Sequence, residues 1–291
     1  MTDMPVSGKT IVCGVIGDPI EHTMSPAMHN AACKALELDF VYAAFKVTAA
    51  ELGNAIAGMK ALGIKGLNVT IPHKVAVIPF LDRIDPLAEK IGAVNTVVNE
   101  NGALTGYNTD AMGFLRALVE RGYEPRGKKV LLLGAGGAAR AISFILAEEG
   151  AHLVILNRKE EFTWAEDLAT RIALNYEIPV AVGELNPENM ERIIVDSDIL
   201  VNATSVGMSP NAGQSPVPTG LLCSNLIVFD IVYNPFETRL LREAKVAGAR
   251  TIDGLEMLVW QGALAFEKFT GQEAPVDLMR SAALKVLRRE K

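Results

Sequence analysis

The stretch KKVLLLGAGGAARAISFILAEEG, residues 128–150, carries the main fold signal of the second half of the chain. An apolar run leads into a glycine-rich turn, and the turn opens a segment with helical periodicity, which predicts a strand, a turn and a helix. Gly134, Gly136 and Ala139 occupy the G-x-G-x-x-G/A positions. The first permits the tight turn, the second lets the backbone approach a pyrophosphate, and the third allows helix and strand to pack closely. The stretch therefore predicts a dinucleotide site at the helix N-terminus, the alternative being a glycine-lined turn of an ordinary α/β domain.

The predicted phosphate contacts are the loop residues Gly134, Ala135, Gly136, Gly137 and Ala138. The next predicted strand, HLVILNRK, ends where an NAD enzyme usually carries an acidic residue for the ribose 2′-hydroxyl. Here Asn157 is followed by Arg158 and Lys159. A neutral amide beside two cations attracts a 2′-phosphate, whereas a carboxylate repels it, so NADP is the expected cofactor. Glu160 and Glu161 dilute the positive charge, which keeps NAD, or a merely solvated strand end, as the alternative.

Outward from this stretch, the chain alternates short β-prone runs with helical ones. A second series runs from KVLLLGAGG through HLVILNR, DILVNATS and LIVFDIVY, and a first series runs from TIVCGVIG to KGLNVTIP. Such alternation indicates parallel strands joined by crossover helices. Asn101-Gly102 lies between two β-prone runs and predicts a hairpin, so at least one strand of the first series should be antiparallel.

The last helix is predicted to start at DGLE, with Asp253 as its cap and Glu256 completing a capping box. Its apolar face should pack on a core, with the first domain as the candidate. We therefore expect an α/β protein of two open domains with a cleft between them. The first is a mostly parallel, substrate-binding sheet formed by residues 1–113 with 255–291, and the second is a Rossmann-type dinucleotide-binding sheet formed by residues 114–254.

Composition excludes several classes of partner. The 291 residues carry 28 basic and 34 acidic side chains, a net charge of −6, with no basic stripe that would follow a nucleic acid. Cys13, Cys33 and Cys223 are odd in number and far apart, which indicates reduced thiols in the cytoplasm. The first residues lack a secretory pattern, and the uncharged stretch 199–229 is too polar to cross a membrane.

NVTIPHK, residues 68–74, places a lysine after a predicted strand of the first series. Ligands of open α/β sheets bind at the carboxyl ends of the strands, so Lys74 is expected at the cleft edge, with Asn68 and Thr70 on one side of the strand. Asp110 in GYNTD could hold the ammonium in one geometry. By local pattern alone Lys74 is a solvated surface charge and Asp110 a helix N-cap, and the two readings stay open at this point.

Eight motifs follow one another along the chain: GDPIEHTMSP, GLNVTIPHK, GAVNTVV, GYNTD, GAGGAAR, NRK, NATSVGM and DGLEMLVWQ. In order and spacing they resemble the shikimate dehydrogenase family, including its quinate/shikimate dehydrogenase branch, over nearly the whole chain. The resemblance implies the reversible NADP-linked reduction of 3-dehydroshikimate to shikimate in aromatic amino-acid biosynthesis. Its alternative is a quinate/shikimate dehydrogenase that uses NAD or NADP.

The resemblance also implies roles for single residues. Lys74 and Asp110 match the catalytic pair beside the substrate C3 hydroxyl. The substrate carboxylate would be held by Ser25 and by Thr23, which stands where the family usually has a second serine. The remaining matched positions are Thr70, Asn95 and Gln261 for the ring hydroxyls, Tyr233 as a further substrate contact, and Ile231 and Gly254 as cofactor contacts.

Two local patterns bear on these roles. Ser25-Pro26 predicts the N-cap and first residue of a helix, whose positive end suits an anion. Phe162 stands where NADP-preferring relatives often carry a second arginine, which again leaves NAD open.

The sequence also bears on metal binding, on the expected partners and on rival functions. The four histidines, His22, His29, His73 and His152, show no metal-binding spacing, so no metal is predicted. The expected partners are small molecules, shikimate and 3-dehydroshikimate or also quinate, bound by a monomer or a homodimer. Another two-domain NADP enzyme, such as a folate-linked dehydrogenase, and a non-catalytic sensor of a ring acid remain the rival functions.

Overall fold

The structure is a computed structural model that describes residues 6–289, and the chain divides into two compact units. One unit comprises the residues up to Thr109 together with those from Val259 onward, and the other comprises Asp110–Leu258. Each junction lies four residues from the one expected from the sequence. The α/β class and the presence of two separate open sheets are as predicted.

The sheet of the first unit has six strands, and its order is β2-β1-β3-β5-β6-β4. The strands are β1 (Ile11–Gly17), β2 (Phe40–Lys46), β3 (Gly66–Val69), β4 (Arg83–Ile84), β5 (Thr96–Glu100) and β6 (Ala103–Tyr107). β1 lies parallel to β2 and β3, whereas β5 pairs antiparallel with β3 and β6. Asn101 and Gly102 turn between β5 and β6 with φ of 56° and 92°, so the predicted hairpin is confirmed.

Helices of the first unit pack around this sheet. They are α1 (Ser25–Ala35), α2 (Leu52–Ala61), α3 (Pro86–Ile91), the greater part of α9 (Gly254–Thr270), and α10 (Val276–Arg289). Gly66 begins β3 directly beneath α9: a Cβ built on it would lie 2.1 Å from Cδ1 of Phe269. Only glycine fits that contact, and the expectation that the helix starting near DGLE packs on the first unit is confirmed. The prediction that this helix is the last one is wrong, because α10 follows it.

The second unit contains an all-parallel sheet in the order β12-β11-β10-β7-β8-β9. Its strands are β7 (Lys129–Leu133), β8 (His152–Asn157), β9 (Ala181–Glu184), β10 (Ile199–Asn202), β11 (Ile227–Asp230) and β12 (Arg250–Ile252). Its helices are α4 (Thr109–Val119, which starts at the junction), α5 (Gly137–Glu148), α6 (Phe162–Tyr176), α7 (Pro187–Ile194) and α8 (Arg239–Val246). This is the doubly wound order of dinucleotide-binding domains, and its switch point lies between β7 and β10.

Buried aliphatic and aromatic side chains anchor helices on this second sheet. β7 contributes the fully buried Leu131 and Leu133 to a core shared with α7 and α8. Phe114 of α4 stacks on Phe229 of β11 with ring centroids 4.6 Å apart. The helix that starts at the junction is therefore anchored on the nucleotide-binding sheet. Across residues 6–289, every helix is too short or too polar to span a bilayer.

Candidate active site and nucleotide site

The segment that carries Lys74 is a turn held at three points within the first unit. The N–H of His73 donates to the carbonyl of Thr70 at 2.9 Å, and Nε2 of His73 lies 2.7 Å from the carbonyl oxygen of Val47. The carbonyl of Lys74 accepts from the N–H of Val94 at 2.8 Å. His73 is fully buried and Lys74 half-buried. The turn therefore holds the lysine backbone in one position, although strand β3 itself ends at Val69.

Asn95 joins this region to the start of α4. Its Oδ1 accepts from the N–H of Thr109 at 2.7 Å, from Oγ1 of Thr109 at 3.1 Å and from Oγ1 of Thr96 at 3.0 Å. Because these donors fill the oxygen, the amide nitrogen is the atom with which Asn95 can meet a ligand. The carbonyl of Lys74 bonds Val94, the residue before Asn95, and Asp110 is the residue after Thr109. A hydrogen bond from Val94 to Lys74 and another from Thr109 to Asn95 thus connect Lys74 to the residue before Asp110.

Asp110 does not cap α4, which corrects the local reading of the sequence. The helix begins at Thr109, so Asp110 lies in its first turn and is buried. The oxygen that binds the N–H of Thr109 comes from Asn95, on a different segment. An acidic residue in the first turn is favoured by the helix dipole.

Ser25 and Thr23 bring two hydroxyl groups together before α1. The Oγ1 of Thr23 donates to Oγ of Ser25 at 3.3 Å and accepts from the N–H of Ser25 at 3.4 Å. The prediction that Ser25 is the N-cap is wrong by one residue: α1 begins at Ser25, and Met24 holds the cap position without a side-chain bond. Both hydroxyls therefore lie at the positive end of α1, which favours an anion.

A buried hydrogen-bond network around Asn68 was not predicted from the sequence. Tyr42 donates its hydroxyl to Oδ1 of Asn68 at 2.6 Å, and Nδ2 of Asn68 donates to Oγ1 of Thr96 at 3.0 Å and to the carbonyl of Asn95 at 3.3 Å. Burial raises the pKa of Tyr42 well above its usual value, so the phenol stays a donor. The signal in the sequence was the polar residue within each apolar run, FVYAAFKV and KGLNVTIP.

His29 supports the same network from α1. Its ring stacks on Tyr42 with centroids 4.1 Å apart and planes 9° from parallel. Burial lowers the pKa of His29 to about 3, so the imidazole is neutral at physiological pH. Asn30, the next residue, donates to the carbonyl of Tyr42 at 2.8 Å and accepts from its N–H at 2.9 Å. Ring and backbone of Tyr42 are therefore both fixed.

The glycine-rich loop of the second unit fits a pyrophosphate. Gly134 has φ of 100°, and a Cβ on it would lie 3.1 Å from the carbonyl oxygen of Ala203, so the turn requires glycine. Above Gly136 and Gly137 a Cβ would find no atom within 4 Å. Gly136 holds the cap position of α5 without a side-chain hydrogen bond. Open space above an uncapped helix start is what a phosphate needs, so the residues present suit a dinucleotide.

The predicted 2′-phosphate residues follow β8. Asn157 is buried and donates through Nδ2 to the carbonyl of Glu161 at 2.6 Å. The guanidinium of Arg158 donates to the carboxylate of Glu161. Lys159 is exposed in the 3-10 helix Lys159–Glu161. Arg158 and Lys159 therefore directly follow β8, and Arg158 forms an ion pair with Glu161.

Gly254 and Ile231 meet at the carboxyl end of the second sheet. A Cβ on Gly254 would lie 2.2 Å from the carbonyl oxygen of Ile231, so only glycine allows α9 to start there. Asp253 caps that helix by accepting from the N–H of Leu255 at 3.1 Å, as predicted. The N–H of Glu256 also bonds the carboxylate of Asp253, as a capping box requires, and the carboxylate of Glu256 accepts from Arg121 at 3.0 Å.

A buried carboxylate organises the loops after β10 and β11. Oδ1 of Asp230 accepts from Nδ2 of Asn202 at 2.9 Å and from the N–H of Val232 at 3.1 Å, and Oδ2 accepts from Oγ1 of Thr238 at 2.7 Å. Burial outweighs these bonds and raises the pKa of Asp230 to about 6. No motif in the sequence pointed to Asp230. Of the remaining predicted contacts, Tyr233 follows Val232 in this unit, and Thr70 and Gln261 belong to the first unit.

In residues 6–289, no three His, Cys, Asp or Glu side chains are grouped to hold a metal ion.

The chain is 52% identical over 270 residues to a curated protein of Dehalococcoides mccartyi named shikimate dehydrogenase (NADP(+)), an alignment that covers 93% of this chain and 94% of the relative. The chain belongs to the shikimate dehydrogenase family. The family model described as the shikimate dehydrogenase substrate binding domain matches residues 15–97. The model described as the shikimate 5'-dehydrogenase C-terminal domain matches residues 254–284.

Solved structures of this family share the fold. A shikimate 5-dehydrogenase from Listeria monocytogenes, in complex with shikimate and NAD, superposes with a TM-score of 0.92 at 42% identity, covering 96% of this chain and 98% of that one. A quinate dehydrogenase from Corynebacterium glutamicum, in complex with NAD, gives a TM-score of 0.88 at 34% identity and covers 95% of this chain and 99% of that one.

Proposed function

We propose that this protein is an NADP-linked shikimate dehydrogenase, which reversibly reduces 3-dehydroshikimate to shikimate in aromatic amino-acid biosynthesis. The proposal is carried by the hydrogen bonds of Asn95 and of its neighbour Val94. The N–H of Val94 donates to the carbonyl of Lys74, and the side chain of Asn95 accepts from the N–H of Thr109, at the start of the helix that contains Asp110. The curated relative named shikimate dehydrogenase (NADP(+)), at 52% identity, supports the same activity.

In this mechanism Lys74 and Asp110 handle the proton. When bound, NADPH supplies the hydride that reduces the substrate ketone. Lys74, protonated and oriented by Asp110, stabilises the negative charge that develops on the ketone oxygen and donates a proton to it. In the oxidising direction the neutral amine, or the pair acting together, takes the proton back. A positioned acid of this kind contributes about 10²- to 10⁴-fold to the rate.

The other proposed contacts sort into substrate and cofactor groups. The hydroxyls of Thr23 and Ser25 donate to the substrate carboxylate, since they adjoin each other at a helix start. The ring hydroxyls are bound by Thr70, Asn95 and Gln261, with Tyr233 as a further contact. The cofactor is held by the loop Gly134, Ala135, Gly136, Gly137 and Ala138, by Asn157, Arg158 and Lys159, and by Ile231 and Gly254.

The test separates chemistry from binding. Lys74→Met removes the ammonium and keeps much of the side-chain length; we expect kcat to fall by roughly 10²-fold or more while calorimetric binding of shikimate persists. Lys60→Met is the matched control, because Lys60 lies in the same unit and pairs with Asp82 at the surface. A Lys74→Met variant that turned over at the parental rate would contradict the assignment.

A second candidate function is a quinate/shikimate dehydrogenase using NAD or NADP. It is favoured by Thr23, whose methyl group alters the carboxylate site, and by the ionic partner of Arg158. Values of kcat/KM for shikimate and for quinate, each with NADP and with NAD, distinguish the two. Binding without any turnover would instead support a sensor. We further propose that the protein works in the cytoplasm, where Cys13, Cys33 and Cys223 stay free thiols, as a monomer or homodimer.

A further inference from the structure

Glu161 is bound at two points beside the predicted 2′-phosphate residues. Its carboxylate accepts from the guanidinium of Arg158, and its backbone carbonyl accepts from Nδ2 of Asn157 at 2.6 Å. Asn157 is buried at the end of β8. The hydrogen bond from Asn157 therefore fixes the backbone of Glu161 at the end of the 3-10 helix Lys159–Glu161. In that position the carboxylate of Glu161 reaches the guanidinium of Arg158.

The charges at this strand end nearly cancel. Arg158 and Lys159 are followed at once by Glu160 and Glu161. The hydrogen bond from Arg158 lowers the pKa of Glu161, so the carboxylate is ionised at neutral pH. The same bond raises the pKa of Arg158, and the charge of Glu160 adds a smaller effect through space. Arg158 thus meets an anion before any cofactor is bound.

We propose that Glu161 is a specificity-determining residue that competes with the cofactor 2′-phosphate for Arg158 and so narrows the preference for NADP over NAD. The inference rests on the proposed use of a nicotinamide dinucleotide. A 2′-phosphate must displace the carboxylate of Glu161 or share Arg158 with it, and in both cases two anions lie close together. A cofactor with a free 2′-hydroxyl bears no such cost. Because the pair is exposed, we expect a discrimination of only roughly three- to fivefold.

The experiment measures binding of cofactor fragments, so it does not depend on turnover. Calorimetry would give Kd values for 2′,5′-ADP, which carries the 2′-phosphate, and for 5′-AMP, which lacks it. In Glu161→Gln, 2′,5′-ADP should bind roughly three- to fivefold more tightly, while 5′-AMP stays within about twofold of the parent protein. Glutamine keeps the length of the side chain and removes only its charge. Glu161→Ala provides a second variant.

Glu160→Gln is the matched control, since it removes the same charge one residue away without touching the bonded carboxylate. We expect it to tighten 2′,5′-ADP by less than half as much as Glu161→Gln. In an Arg158→Ala background the effect of Glu161→Gln should largely disappear, because the two residues act as one unit. The gain should also shrink between about 0.05 M and 0.5 M salt, as expected for exposed charges.

Three outcomes would overturn the inference. Unchanged 2′,5′-ADP binding in Glu161→Gln would mean that the carboxylate does not compete. Weaker binding would mean that Glu161 orients Arg158 toward the phosphate. Equal gains in Glu160→Gln would assign the effect to the general field of this strand end. If the parent protein bound neither fragment, the proposed cofactor site would fail with it, whereas the Lys74→Met test concerns the proton chemistry alone.

Discussion

The hydroxyl of Tyr42 on β2 donates to Oδ1 of Asn68 on β3 at 2.6 Å, across the intervening strand β1. Asn68 in turn donates to Thr96 and to the carbonyl of Asn95, whose side chain holds the start of α4. The phenol of Tyr42 is thereby connected to Asn95, one of the residues proposed to bind the ring hydroxyls. Each of these hydrogen bonds is buried. A missing partner is costly there, because water cannot replace it.

Tyr42→Phe tests this connection. Phenylalanine keeps the ring that stacks on His29 and leaves Oδ1 of Asn68 without its donor. We expect the free energy of unfolding to fall by about 1–3 kcal/mol, as for other buried groups deprived of a partner. With Asn68 less firmly held, KM for shikimate should rise while Kd for 2′,5′-ADP stays constant.

Tyr107→Phe is the control for Tyr42→Phe, because it removes a hydroxyl from a half-buried tyrosine in the same unit. Urea unfolding and steady-state kinetics of both variants provide the readouts. Equal losses in the two variants, or a Tyr42→Phe protein with parental KM and stability, would show that the bond to Asn68 holds nothing in place.

His73 is expected to position Lys74. His73→Leu removes the donor to the carbonyl of Val47 and leaves that buried oxygen unpaired, so the turn should loosen. We expect about 1–3 kcal/mol of lost stability and a fall in kcat that exceeds any rise in KM for shikimate. His73→Gln retains an N–H donor and should recover part of both. No difference between the leucine and glutamine variants would refute the positioning role.

Asp230 makes the stability of the second unit depend on pH with a definite sign. Burial raises its pKa from 3.8 to about 6, so between these values the folded protein binds a proton that the unfolded chain does not. Protonated Asp230 therefore contributes to the free energy of unfolding. This contribution is fully present below pH 3.8 and is lost as the pH rises through about 6. The full change amounts to roughly 3 kcal/mol.

Asp230→Asn isolates that contribution. Asparagine cannot titrate, and its Oδ1 can still accept from Asn202 and from the N–H of Val232. The difference in unfolding free energy, parent minus variant, should therefore decline from acid toward neutral pH. Denaturant titrations at a series of pH values measure it, and a difference independent of pH would refute the raised pKa.

Local signals in the sequence were enough to predict the glycine-rich turn, the hairpin and the cap of α9. Gly134 must be glycine because of its φ of 100°, and Asn101-Gly102 turns a hairpin because both residues accept positive φ. Such requirements act within a few residues, so they are visible in any stretch that contains them. The cap at Asp253 was found for the same reason.

The limits of that local reading lie where a partner comes from elsewhere in the chain. The local pattern predicted Ser25 as a helix cap and offered a cap as the alternative role of Asp110, yet Asn95 supplies the acceptor for α4, and the cap position of α1 is Met24. The sequence placed Glu161 near the cations but could not show that a bond from Asn157 turns its carboxylate onto Arg158.

Short-range patterns in the sequence predicted two α/β sheets, a glycine turn suited to a dinucleotide, and a lysine after a strand of the first sheet. The strand orders, the hydrogen bond between Tyr42 and Asn68, and the burial that raises the pKa of Asp230 follow from long-range packing, which no short pattern encodes. Backbone preferences are properties of short segments. A buried polar group, in contrast, takes its partner from whichever strand becomes its neighbour, and that choice is made by packing of the whole sheet.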